Sequence, residues 1–82
     1  MTILTEKSLK EMPKGFDHVG FSSSIKEELK YTGYLQEDLA TSIYVEPRRI
    51  TALLTNRQKY KEFEVARISK VLGIEIEPFI NY

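Results

Sequence analysis

The chain has 82 residues, of which 41% are hydrophobic and 29% are charged, and its formal net charge at pH 7 is zero. These values exclude an intrinsically disordered chain and predict a single small domain with a modest core. The sequence contains no cysteine, which excludes a disulfide framework and a thiolate nucleophile, and its apolar runs are too short to cross a bilayer. We expect a cytoplasmic protein with no membrane association.

Residues 1–23 show no clear helical or strand periodicity and are predicted to form an N-terminal arm. A short helix is expected before Pro13, after which proline and glycine interrupt the pattern. We expect the arm to pack its apolar side chains onto the domain, and the alternative is a linker. The candidate anchors are Phe16, Val19 and Phe21.

Residues 24–82 are predicted to form the domain itself. Ser24 and Glu27 fit a capping box, in which a hydroxyl and a carboxylate accept hydrogen bonds from exposed backbone N–H groups. Gly33 fits the left-handed stop of this first helix. The spacing of apolar residues predicts four further helices, which span residues 35–42, 47–55, 61–72 and 75–80. The sequence therefore predicts an all-α fold of five short helices.

Residues 36–56, at the centre of the chain, are predicted to form two short helices joined by a tight turn. One apolar stripe includes Leu39 in the first of these helices, and another includes Ile50 in the second. Pro47 suits the opening turn of the second helix, where its missing N–H would have no partner. This pattern, with paired arginines at the start of the second helix, is typical of a helix-turn-helix that reads DNA.

Positive charge is concentrated in this part of the chain. Residues 46–61 hold five cations against the single acid Glu46, a local charge of +4, whereas residues 22–40 and 62–82 each carry −2. Because salt screens charges more than roughly 8–10 Å apart, such a patch can attract phosphate although the whole chain is neutral. The charge pattern therefore favours a nucleic-acid contact and indicates weak nonspecific affinity.

Several of these residues together resemble the lambda-repressor and Cro class of helix-turn-helix domains. The resemblance covers about residues 24–80 and depends on the order of three pieces. They are a Gln-acid-acid-Leu-Ala run at residues 36–40, an isoleucine at position 50 and a closing Leu-Gly-Ile at residues 72–74. The resemblance implies a lambda-repressor-like DNA-binding domain with an N-terminal arm, as in small phage-type regulators.

The resemblance also implies roles for individual residues. Gln36 is expected to contact a phosphate, and side chains at the start and middle of the third helix are expected to face base edges. The latter are Glu46, Arg48 and Ala52, flanked by Arg49, Thr51 and Thr55. Arg48 is the best candidate reader, since a guanidinium can donate two parallel hydrogen bonds to guanine O6 and N7. The cations expected to contact phosphates from the following loop are Arg57, Lys59 and Lys61.

Three positions depart from the pattern of that family. Tyr44 stands where the turn usually has glycine, so the turn needs a left-handed or altered backbone at some cost. Glu46 replaces the usual Ser or Thr cap and places a carboxylate near the DNA phosphates, and Leu35 replaces the usual Thr cap of the second helix. These departures leave the fold prediction intact but weaken the expectation of tight, ordinary operator binding.

The sequence shows no catalytic or metal-binding constellation. His18, the one histidine, lies next to Asp17, but no motif places a serine nucleophile beside it, so a surface or packed histidine is the preferred interpretation. The acid pairs at residues 27–28 and 37–38 suit helix-dipole and solubility roles better than a metal site. We therefore expect neither an enzyme nor a cofactor.

Two functions remain open. The first is a DNA-binding transcriptional regulator of a phage or mobile element, which would act on double-stranded DNA and, as a homodimer, on a two-fold operator. The alternative is a protein-binding module, such as an antirepressor that masks the DNA-reading face of a phage repressor. The zero net charge, the acidic flanks, Tyr44 and Glu46 would suit a basic partner surface.

Overall fold

The computed structural model describes residues 10–80 and shows four α-helices followed by one 3₁₀ turn. The helices are α1 (His18–Thr32), α2 (Gln36–Ser42), α3 (Pro47–Leu54) and α4 (Glu62–Leu72), and the 3₁₀ turn is Glu77–Phe79. No β-strand forms in this range, so the all-α prediction is confirmed for the described residues. None of the helices within residues 10–80 is both long and apolar enough to span a bilayer.

Helix α1 begins at His18, whereas the sequence predicted a start at Ser24. The Asp17 carboxylate accepts a hydrogen bond from the Gly20 N–H at 2.9 Å and so caps the helix. A Cβ at Gly20 would lie 2.2 Å from Asp17 Oδ2, so glycine leaves the space that the capping side chain occupies. Ser24 lies inside α1, so the predicted capping box with Glu27 is wrong, and the helix includes the last residues assigned to the arm.

The segment before α1 packs along the domain. Its backbone at residues 10–12 pairs with that of residues 60–62 through hydrogen bonds of 2.8 and 3.1 Å. Of the three predicted anchors, Phe16 and Phe21 are buried, whereas Val19 is 59% exposed and is not an anchor. The short helix predicted near the start of the chain falls mostly outside the described residues.

The turn between α2 and α3 adopts a left-handed backbone, one of the two alternatives expected from the sequence. Tyr44 adopts φ 61°, a region that non-glycine residues seldom occupy, and the chain re-enters a helix at Pro47. Leu35 stands at the N-cap of α2, where its N–H donates to the Asp38 carboxylate at 3.3 Å. Beyond α3, Asn56 also adopts φ 61°, which confirms the predicted left-handed stop.

One apolar core lies between the four helices, and the loop after α3 adds a tyrosine to it. The buried apolar side chains are Phe16, Phe21, Ile25, Leu29, Leu39, Ala40, Ile43, Ile50, Leu53, Leu54, Tyr60, Val65, Ile68 and Ile74. Full burial of one large aliphatic side chain stabilises a fold by about 1.5–3 kcal/mol. The apolar stripes predicted for residues 36–56 belong to this core.

The helix predicted at residues 75–80 is instead a 3₁₀ turn. Its hydrogen bonds, from the N–H groups of Phe79 and Ile80, each reach back three residues, which is the 3₁₀ spacing. Pro78 has no N–H, so no α-helical bond can form from its position. The Asp17 N–H donates to the Phe79 carbonyl at 2.7 Å and fixes the turn against the start of α1.

Candidate nucleic-acid interface

Helix α3 divides its residues between the core and the surface. Its inner face is buried. Its outer face carries Arg48 and Thr51, and the C-cap residue Thr55 continues it; all three are exposed and spaced three and four residues apart, as one helical face requires. Ala52 lies half-buried beside them. The structure thus brings four of the residues predicted to contact DNA together on one short face, which we call the outer face of α3.

The two threonine hydroxyls of the outer face are bonded to their own helix. Thr51 Oγ1 donates to the Pro47 carbonyl at 3.3 Å, and Thr55 Oγ1 donates to the Thr51 carbonyl at 2.8 Å. Each hydroxyl proton is therefore used inside α3, while the oxygen can still accept a bond. The threonines offer accepting oxygens and methyl groups to a ligand, and Arg48 offers donors.

The first turn of α2 lies beside the start of α3. Leu35, Gln36 and Glu37 line one shallow groove together with Pro47 and Thr51. Gln36 is exposed there, so its amide lies next to the outer face of α3. A side-chain amide at such an edge can donate to a phosphate oxygen.

Glu46 is the N-cap residue of α3, and its side chain is exposed and makes no capping hydrogen bond. The helix dipole favours a carboxylate at this position, whereas a DNA phosphate would repel it. The same carboxylate can accept a hydrogen bond from the amino group of cytosine. The Glu46 carboxylate is therefore compatible with a contact to a base edge and unfavourable next to a phosphate.

Arg49 does not belong to the outer face, contrary to the sequence prediction. Its Nε and Nη2 donate to the two carboxylate oxygens of Glu64 at 2.7 and 2.8 Å, forming a two-point ion pair with α4. Nη2 also donates to the Lys59 carbonyl at 3.0 Å, and Nη1 donates to the Gln58 side-chain carbonyl. The hydrogen bond to Glu64 raises the pKa of Arg49 above its ordinary value. Successive helical residues lie about 100° apart, so Arg49 bonds inward while Arg48 is exposed.

Glu64 is the buried carboxylate of this network, and the sequence prediction did not include it. Its side chain is 1% exposed, and Oε1 also accepts the Lys61 N–H at 2.8 Å. A carboxylate so deeply buried needs a cation and hydrogen-bond donors, which Arg49 and the backbone supply. A local signal was present, because Glu64 stands three residues after the N-cap Lys61, at the spacing of a capping box.

The loop after α3, residues 57–61, carries the cations predicted to contact phosphates. Arg57 and Lys59 are exposed, and Lys61 is half-buried. All three line one depression, to which Glu11 from the segment before α1 adds a carboxylate. The positive charge still exceeds the negative charge there, which suits a phosphate backbone. We call residues 57–61 the basic loop.

Buried hydrogen bonds fix the end of the basic loop. The Tyr60 hydroxyl and Ser22 Oγ are 2.8 Å apart, and Ser22 Oγ donates to the Leu53 carbonyl at 2.9 Å. The Tyr60 N–H donates to His18 Nδ1 at 3.0 Å, and the two rings stack with their centres 5.8 Å apart. Burial raises the pKa of Tyr60 to about 12 and lowers the pKa of His18. His18 is therefore a packed histidine whose neutral ring accepts a backbone hydrogen bond.

Within residues 10–80, no group of three or more histidine, cysteine, aspartate or glutamate side chains is arranged to hold a metal ion.

Comparisons of the chain with protein families, curated proteins and solved structures find no match. The candidate functional site therefore consists of the outer face of α3 and the basic loop that follows it.

Proposed function

We propose that the protein is a sequence-specific DNA-binding transcriptional regulator with a lambda-repressor-like fold, which inserts α3 into the major groove. The observation that carries this proposal is the exposed polar face of α3, which includes Arg48 and adjoins the first turn of α2 and the basic loop. An eight-residue helix rises about 12 Å, a length that fits within the major groove.

Arg48 supplies the direct reading of bases in this proposal. Its exposed guanidinium can donate two parallel hydrogen bonds to guanine O6 and N7. Thr51, Ala52 and Thr55 can pack methyl groups against thymine, and Glu46 can accept from the amino group of cytosine. These side chains would set the preferred sequence of the site.

Phosphate contacts would hold the helix in register but carry no sequence information. Gln36 at the start of α2 can donate to one strand of the backbone. The cations of the basic loop, Arg57, Lys59 and Lys61, can contact phosphates beyond the C-terminal end of α3. Their contribution should be strongly dependent on salt, because each contact releases counterions from the DNA.

A homodimer on a two-fold DNA site is part of the proposal. One short recognition helix contacts about three or four base pairs, which alone gives little specificity in a genome. Two copies would read half-sites whose centres lie about 34 Å apart, or a multiple of that distance.

The test is selection of binding sites from a random duplex pool at low salt, followed by a salt titration of any enriched sequence. We expect an enriched site with inverted half-sites, whose affinity falls with rising salt and with Arg48→Ala. A pool that remains unenriched after repeated rounds, while the folded state is verified by circular dichroism, would refute the proposal.

A protein-binding module is the second candidate, and the ring of Tyr44 favours it. Tyr44 is 83% exposed, and the Arg67 guanidinium lies 5.5 Å from its ring centre and 5.0 Å from that of Phe63. Tyrosine and arginine are both enriched in protein interfaces. A basic partner, such as the DNA-reading face of a phage repressor, would also meet the exposed Glu46, two residues after Tyr44. Tyr44→Ala should then abolish capture of that repressor, and unchanged capture would count against this function.

A further inference from the structure

We propose that Arg49 is a positioning residue, which holds the basic loop in the conformation that lets its cations reach DNA phosphates. The inference rests on the proposed function, since phosphate contact is the task of the loop. Arg49 lines the same depression as these cations, and its side chain is 21% exposed. Its role is nevertheless positional, because hydrogen bonds to Glu64, Gln58 and Lys59 already use four of its five N–H donors.

The contacts of Arg49 connect α3, the basic loop and α4. Its two-point ion pair with Glu64 anchors the guanidinium on α4. From that anchor, the remaining contacts reach the Gln58 side chain and the Lys59 carbonyl in the loop. Only an arginine can make this set of bonds, because its donors lie in a rigid planar fork on three nitrogens.

The basic loop is held at both ends, and Arg49 holds the part between them. At the start of the loop, two backbone N–H groups donate to the Ala52 carbonyl at 3.0 and 3.4 Å. At its end, the ring of Tyr60 is fully buried. Between these points, Arg49 binds the side chain of Gln58 and the backbone of Lys59. Loss of Arg49 should therefore free the middle of the loop without releasing its ends.

The ion pair with Glu64 determines the net charge that Arg49 adds to the proposed DNA-binding surface. Glu64 lies against its guanidinium at 2.7 Å, so the pair adds no net charge to the surface. Lys59, in contrast, has its carbonyl bonded to Arg49 while its side chain is exposed. Arg49 thus acts on phosphate binding through the geometry of the loop, and not through its own charge.

The experiment is a salt titration of binding to the selected duplex by the unchanged chain and three variants, Arg49→Lys, Gln58→Ala and Arg48→Lys. The slope of log K against log salt measures phosphate contacts, at about 0.9 per phosphate. Arg49→Lys keeps the charge but loses the fork, and Gln58→Ala removes one loop contact while leaving the ion pair intact. Arg48→Lys is the matched control, because it makes the same substitution at the neighbouring exposed residue.

We expect Arg49→Lys to lower the magnitude of the slope by about 1–2, and Gln58→Ala to lower it by a smaller amount. Arg48→Lys should keep the slope and lose preference for the selected sequence. A folding defect alone scales the affinity by the folded fraction, which circular dichroism at each salt concentration measures and removes. A slope that remains changed after that correction indicates that the basic loop contacts fewer phosphates, because lost stability by itself does not alter the number of phosphates contacted.

An unchanged slope in Arg49→Lys, with specific binding by the unchanged chain, would overturn the positioning role and leave the proposed function standing. If Arg49→Lys does not fold, the salt slope of Gln58→Ala is compared with that of the unchanged chain instead, and an unchanged slope would overturn the positioning role. Failure of the unchanged chain to bind any duplex would refute the proposed function, and the inference with it. The unchanged chain therefore distinguishes the two failures within one titration.

Discussion

Ser22 and Tyr60 form a buried pair of hydroxyls, and removing the hydroxyl of Ser22 should destabilise the fold more than removing that of Tyr60. Ser22 Oγ donates to the Leu53 carbonyl, so the Tyr60 hydroxyl is the donor in the 2.8 Å bond between the two side chains. Tyr60→Phe removes this donor and leaves no new donor unpaired, so we expect the free energy of unfolding to fall by about 1 kcal/mol. Ser22→Ala leaves the Tyr60 hydroxyl without its acceptor in a fully buried side chain, so we expect a fall of about 2–3 kcal/mol.

The double variant Ser22→Ala/Tyr60→Phe isolates the effect of the unpaired hydroxyl. It removes both partners, and the Leu53 carbonyl keeps the Asn56 N–H at 3.1 Å, so we expect it to be more stable than Ser22→Ala by about 1 kcal/mol. Urea denaturation at pH 7 measures the free energy of unfolding of the unchanged chain, the two single variants and the double variant. With a denaturant slope (m-value) near 1 kcal/mol/M, the expected difference between Ser22→Ala and the double variant corresponds to about 1 M in the urea midpoint. Ser23→Ala, at an exposed position of α1, is the control and should change stability by less than about 0.5 kcal/mol. Additive losses, or a larger loss from Tyr60→Phe than from Ser22→Ala, would refute this reasoning.

Three further predictions concern α1 and the interface. Burial lowers the pKa of folded His18, so the unfolded chain takes up its proton first, and the free energy of unfolding should fall as the pH drops from about 6.5 toward that lower pKa. Urea midpoints between pH 7 and pH 5 should fall less in His18→Asn, and an equal fall would contradict the prediction. Gly20→Ala should lower stability by about 1 kcal/mol in thermal melts although alanine favours helices, because its Cβ would displace the Asp17 cap, and a stabilised variant would contradict the capping geometry. In fluorescence anisotropy, Arg48→Ala should weaken binding to the selected duplex by about 1–3 kcal/mol and relax base preference, whereas Lys59→Ala should weaken binding to all duplexes and lower the salt slope by about 1. Unchanged affinity in both variants would count against the proposed roles.

The ends of α3 could be predicted because local signals mark them, whereas the start of α1 could not. Pro47 fits the first turn of a helix, and Asn56 tolerates the left-handed conformation that stops one, so neither needs information from the rest of the fold. Asp17 and Ser24 are both favourable caps for α1. The earlier start places Phe21 four residues before Ile25 and eight before Leu29, on the same buried face of α1, so packing in the core favours the earlier cap. Such a choice depends on tertiary packing, which the local sequence does not contain.

The candidate interface is harder to predict than the fold because two adjacent arginines differ only in their tertiary partners. Arg48 and Arg49 are equivalent cations in the sequence, which predicts a DNA contact for both. They differ because Glu64, fifteen residues after Arg49, presents a buried carboxylate to the inward side of α3, and no local spacing rule connects the two. The ion pair neutralises one cation with one acid, so it leaves the excess charge of the basic loop unchanged. The proposed recognition then depends on Arg48 for the bases and on the basic loop for the backbone.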